Sequence, residues 1–102
     1  MKKFIEVINI NEIPKMGSRV LEMGDTEIAL FKTLEDKVFA INNVCPHKQG
    51  KLSEGIVHND NVTCPLHNWV IDFNSGEAQG SDTGCTNTYE VKIEEEKVFI
   101  KL

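Results

Sequence analysis

Two short loops, Cys45-Pro46-His47 and Cys64-Pro65-Leu66-His67, constrain this 102-residue chain more than any other feature. Each offers one thiolate and one imidazole, and sixteen residues, 48–63, lie between them. Two of the three prolines directly follow a cysteine. Each proline fixes its own φ and pushes the preceding cysteine toward extended backbone, which stiffens the loop that presents the sulfur. Thiolate with imidazole suits zinc or iron–sulfur and not magnesium or calcium. Zinc fingers usually group Cys with Cys and His with His. One Cys and one His from each loop suits a two-iron centre instead, with both thiolates on one iron and both imidazoles on the other. On the residues alone a zinc-stabilised binding module stays open as the rival of another class.

The rest of the chain reads as a β scaffold for these loops. Tyr89, Val91 and Ile93 alternate with Glu90, Lys92 and Glu94, the period-2 pattern of a half-buried strand, and Val98–Leu102 continues it. The two runs read as a hairpin, although the Glu94-Glu95-Glu96 turn lacks the Gly or Asn that tight turns prefer. Phe4–Ile10, Ser18–Met23, Thr26–Thr33 and Lys37–Ile41 read as four more strands, with one helical turn allowed at Asn11–Met16 and limited by Pro14. In the middle, Gly55–His58, Val62–Cys64 and Trp69–Phe73 are brief strands among turn residues. The expected fold is all-β, an antiparallel sandwich or barrel with a small inserted ligand-bearing subdomain. The chain is one domain, 1–102, with a scaffold of residues 1–42 and 85–102 and a subdomain of residues 43–84.

Several functions are excluded or disfavoured. Eleven Lys+Arg against sixteen Asp+Glu give a net charge of −5, which argues against nucleic-acid binding. Three Cys are too few for a secreted disulfide scaffold and point to a reducing compartment. The longest apolar runs, Ile28–Phe31 and Val38–Ile41, fall far short of the ~20 residues of a membrane helix. No membrane role and a cytoplasmic location are therefore expected. There is no G-x-G-x-x-G fingerprint for a dinucleotide and no second set of Cys for another cluster.

With Cys45-Pro46-His47 and Cys64-Pro65-Leu66-His67 as ligand boxes, the chain resembles the Rieske proteins. The resemblance implies a Rieske-type [2Fe–2S] cluster held by Cys45, His47, Cys64 and His67, with Pro46, Gly50, Pro65 and Trp69 around it. More closely, the chain looks like the small subunits of bacterial NAD(P)H-dependent assimilatory nitrite reductases. Residues carrying this match are Cys45–Lys48, Leu52–His58, Cys64–Trp69, Gly76–Gly80 and Thr88–Lys92. That likeness implies a non-catalytic electron-relay subunit of an oxidoreductase, whose partner is a large flavin- and sirohaem-bearing subunit that reduces nitrite to ammonia. The alternative within the same fold is a stand-alone ferredoxin feeding an aromatic-ring oxygenase. Where the family commonly has Gly-Gly-Pro after His-Lys, this chain has Gln49-Gly50-Lys51, which adds a polar group and a charge at the expected docking rim. Respiratory Rieske proteins carry an extra, disulfide-bonded Cys in each loop. Gly50 and Leu66 stand in those places here, which implies a potential in the lower part of the range, roughly −150 to +300 mV.

Three further residues carry bland expectations. Cys85 is read as a buried small hydrophobe. His58, beside Asn59-Asp60, is read as a surface residue and not a third ligand. Trp69 is read as core packing that shields the site.

Overall fold

The alternation read from the sequence is realised almost strand for strand. The computed structural model describes residues 3–44, 51–65, 69–79 and 84–101. Among the described residues ten strands are formed: β1 (Phe4–Asn9), β2 (Gly17–Met23), β3 (Thr26–Lys32), β4 (Val38–Asn42), β5 (Ile56–His58), β6 (Asn61–Thr63), β7 (Val70–Asp72), β8 (Thr88–Tyr89), β9 (Val91–Glu94) and β10 (Lys97–Lys101). They make three antiparallel sheets in the orders β1-β10-β9, β2-β3-β4-β8 and β5-β6-β7. Among the described residues no helix is long and apolar enough to cross a membrane.

β3 explains why Ile28-Ala29-Leu30-Phe31 is apolar without alternation. Ile28 and Leu30 face one core, with Ile13, Val38, Ala40, Val98 and Ile100. Ala29 and Phe31 face the other, with Ile41, Leu52, Val57, Val62, Cys64, Ile71 and Phe73. The central sheet is thus covered on both faces, a condition that selects continuous hydrophobic runs. Each large side chain fully buried here contributes about 1.5–3 kcal/mol before entropy is counted. Phe73 anchors the second core, its ring 4.8 Å from that of Phe31 and 5.1 Å from that of Phe39.

Three local expectations are corrected. The run Tyr89–Ile93 is not one strand: Tyr89 ends β8 beside β4, and Val91 begins β9 beside β10. Glu90 is the break, its carbonyl accepting from the Lys101 N–H at 3.0 Å as the chain passes between sheets. The turn allowed at Asn11–Met16 forms earlier, as a 3-10 turn over Ile10–Glu12. A capping box on Asn9 and Glu12 places it there, and Pro14 lies beyond its end. The β9–β10 turn runs through Glu95 and Glu96 at φ 51° and 67°. Left-handed backbone costs a non-glycine residue roughly 1 kcal/mol. Tertiary contacts offset it at Glu96, whose carbonyl accepts from Ile10 N–H (2.8 Å) and whose carboxylate accepts from Asn11 Nδ2 (2.8 Å).

Gly76 combines positive φ, 75°, with close approach: a Cβ there would overlap the Thr86 carbonyl. Gly24, at φ 67°, has open space around it. Gly76→Ala should therefore destabilise the chain by about 3 kcal/mol, through backbone strain and overlap together. Gly24→Ala should cost about 1 kcal/mol. Urea denaturation of the two variants measures the difference, and equal losses would contradict the overlap.

Candidate metal centre

The second Cys/His loop grows directly from a hairpin. Thr63↔Val70 is the last pair of β6 and β7, and the Cys64 N–H donates to the Trp69 carbonyl at 2.6 Å just beyond it. Cys64 is fully buried, in the same core as Val62, Ile71 and Phe73, while Pro65 is exposed. Trp69, half-buried, packs against that core, as read from the sequence. Gly55 supports the hairpin from the β5 side. Its φ of −84° is ordinary, so its value lies in close packing, because a Cβ would overlap the Thr63 carbonyl next to Cys64. Of the expected ligands and their flanks, Cys45, Pro46, His47, Gly50 and His67 lie outside the described residues, as does Gln49. Among the described residues no group of three or more His, Cys, Asp or Glu side chains comes together.

The first loop is rooted at Asn42 and Asn43, and both roots are bound on all sides. Asn43 is buried. Its N–H donates to the Glu27 carbonyl (2.9 Å), its Nδ2 donates to Glu27 Oε1 (3.2 Å), and its Oδ1 accepts from Ser53 N–H (2.7 Å). Ser53 lies in a 3-10 turn, Leu52–Glu54, and its carbonyl accepts from Ser18 Oγ at 2.7 Å. Lys51, at the far end of the loop, donates to Glu27 Oε1 at 2.7 Å. The charge expected at the docking rim is therefore paired with a carboxylate. Nothing in the sequence singled out Glu27 or Asn43, because a Glu opening a strand and an Asn ending one look like ordinary edge residues.

A continuous run of hydrogen bonds joins the two loop roots. From β7, Val70 accepts from Gln79 N–H (2.8 Å) and Asp72 donates to Glu77 (3.0 Å). Residues 76–78 then pair with 84–86: Ala78 N–H donates to Gly84 (2.9 Å) and Thr86 N–H to Gly76 (2.8 Å). Asn42 closes the run, donating its N–H to Asn87 (2.9 Å) while its Oδ1 accepts from the Tyr89 hydroxyl (2.5 Å). Burial pushes the Tyr89 phenol up, so it stays a donor at neutral pH. Cys85 lies within this strap, in a bridge with Glu77, but its side chain is exposed. The expectation of burial is thus corrected: bridge pairing turns position 85 outward. His58 is half-buried and its Nε2 lies 2.6 Å from the Thr63 hydroxyl, across the β5–β6 hairpin.

A family model of the Rieske [2Fe–2S] domain matches residues 3–90. The ferredoxin component of a naphthalene 1,2-dioxygenase system from Pseudomonas aeruginosa is 31% identical over 102 residues, covering 99% of this chain and 97% of its own. The ferredoxin of carbazole 1,9a-dioxygenase from Nocardioides aromaticivorans IC177 superposes with a TM-score of 0.85 at 20% identity, over 95% of each chain. A protein assigned as an NADH-dependent nitrite reductase small subunit from Mycobacterium tuberculosis does so with a TM-score of 0.88 at 17% identity, over 100% of this chain and 96% of that one. At these identities the two structures speak to the fold alone.

The Lys51 ammonium first, and the Asn43 amide second, hold the Glu27 carboxyl below the ordinary carboxylate range, and the Glu27 contact raises Lys51 in turn. A lowered acid contributes stability above its unfolded value and loses it as pH falls through the folded one. A raised base contributes below its unfolded value and loses it as pH rises through the folded one. The pair is thus intact at neutral pH, and its exposure keeps its worth small. In Lys51→Ala the Glu27 carboxyl, followed by carbon NMR, should titrate at higher pH than in the parent chain. An unchanged midpoint would refute the pairing in solution.

Proposed function

We infer that this chain, which belongs to the Rieske [2Fe–2S] domain family, relays single electrons as the small subunit of an NAD(P)H-dependent assimilatory nitrite reductase. Cys45 and Cys64 would hold one iron and His47 and His67 the other, with Pro46, Gly50, Pro65 and Trp69 flanking them. The residues fit the group. A thiolate at the fully buried Cys64 is tolerable only against a cation or a set of donors, and the two loops have the mixed Cys/His composition a two-iron centre needs. Residues 43–84 would then be the cluster-binding part and residues 1–42 and 85–102 its scaffold. When bound, the cluster supplies one-electron exchange and no bond-making chemistry. Nitrite reduction itself belongs to a partner, a large flavin- and sirohaem-bearing subunit.

The observation that carries the nitrite-reductase reading is where its matching residues fall in the fold. Beyond the ligand boxes, Leu52–His58 supplies the 3-10 turn and β5, Gly76–Ala78 pair with residues 84–86, and Thr88–Tyr89 form β8, so the likeness extends from the loops into the elements that support them. The second reading, a ferredoxin donating to an aromatic-ring oxygenase, is favoured by 31% identity along nearly the full length of the naphthalene dioxygenase ferredoxin component. The two readings share the cluster and differ in the partner.

Two measurements test these readings. The purified chain should contain two irons and two acid-labile sulfides, with a visible spectrum that dithionite bleaches and that Cys64→Ser abolishes. A colourless chain holding one zinc would instead support the zinc-stabilised module. Co-expression with the large reductase subunit should yield a complex whose nitrite-dependent NAD(P)H oxidation falls sharply when this chain is omitted. Turnover of an aromatic-ring oxygenase by the reduced chain, without effect on nitrite reduction, would favour the ferredoxin reading.

A further inference from the structure

We propose that Glu27 is a positioning residue for the metal centre, a carboxylate on β3 that grips both ends of the segment bearing Cys45 and His47. The inference rests on the assignment of those two residues as ligands. Four observations carry it. Glu27 binds Asn43, before the segment, twice: through its carbonyl to the backbone N–H and through Oε1 to the side-chain amide. It binds Lys51, after the segment, through the same Oε1. Asn43 is buried and its remaining acceptor also reaches across, to Ser53 N–H, so the two ends are tied to each other as well as to β3.

The fourth observation concerns cost. Glu27 stands directly opposite Glu22 in the β2–β3 register. Like charges in cross-strand pairs are destabilising, so a carboxylate here is a poor choice for the sheet alone. Lys51, with Glu54 also in its field, is the cation that compensates it. The other ion pairs differ. Lys15–Asp36, Lys37–Glu35, Lys37–Asp60, Lys92–Glu94 and Lys101–Glu90 lie at 3.5–3.8 Å, and none holds a residue that directly flanks the segment. Groups behind the metal ligands commonly set affinity and tuning as strongly as the ligands' own surroundings do. Glu27 would act in that way, by tying Asn43 and Lys51 to β3.

The test uses the cluster-loaded chain and its variants, each first confirmed as folded by far-ultraviolet circular dichroism. Glu27→Ala should release iron to a chelator about tenfold faster than the parent chain and shift the electron paramagnetic resonance of the reduced cluster. Glu27→Gln keeps an oxygen that accepts from both Asn43 and Lys51, and should stay within about twofold of the parent. Lys37→Ala removes two ion pairs at the opposite end of β4 and should leave both readouts unchanged. Parent-like release and resonance in Glu27→Ala would overturn the proposal. So would a Glu27→Gln variant as leaky as the alanine, because charge and not geometry would then be the agent. Cys45→Ser serves as the separate check: a normal cluster in that variant removes the ligand assignment, whereas an empty Cys45→Ser beside a parent-like Glu27→Ala removes only the positioning role.

Discussion

The constraint on which this molecule depends is the distance between two loop roots that are far apart in sequence. A centre of the proposed kind, with one Cys and one His from each loop, would tolerate little relative motion, and the strands beside the second loop are only three residues long. The chain solves this with backbone hydrogen bonds from β7 through residues 76–79 and 84–86 to Asn42. Backbone ties suit the task because they carry direction as well as energy. At Gly76 a Cβ would overlap the Thr86 carbonyl, so only a residue without one fits there.

Beside Asn42, Asn43 adds ties of its own to the root of the first loop. Asn43 has an N–H donor, an amide donor and an amide acceptor, and each has a partner. A buried amide satisfied in this way is specific: any shift of the loop root would leave a polar group unpaired, at a cost of about 1–3 kcal/mol.

Much of the fold was legible because the strands obey period 2 and the turns fall on Gly, Asn, Asp and Pro. The ligand set was legible for another reason: Cys and His are rare, and their spacing repeats. Of that set the described residues include Cys64, Pro65 and Trp69. What stayed hidden depends on tertiary contact. Glu90 breaks an unbroken alternation because the chain changes sheets there, and no local pattern records that. Cys85 reads as apolar by type, yet its face is set by a single bridge to Glu77. Glu27 and Asn43 carry no motif, since their importance comes from what the fold places beside them. The acidic balance also concealed local pairing, as Lys92 lies over the rings of Phe4 and Phe99 at 4.8 and 5.4 Å.

The double burial of β3 has a consequence for how the molecule opens. Its amides are shielded by sheets on both sides, and its side chains belong to both cores. Neither core can be exposed without disturbing the strand that the other requires, so the two should not melt as separate units. Exchange with deuterated solvent at Ala29 and Leu30 would then need global unfolding, as would exchange at Val62 and Ile71, which share a core with Ala29.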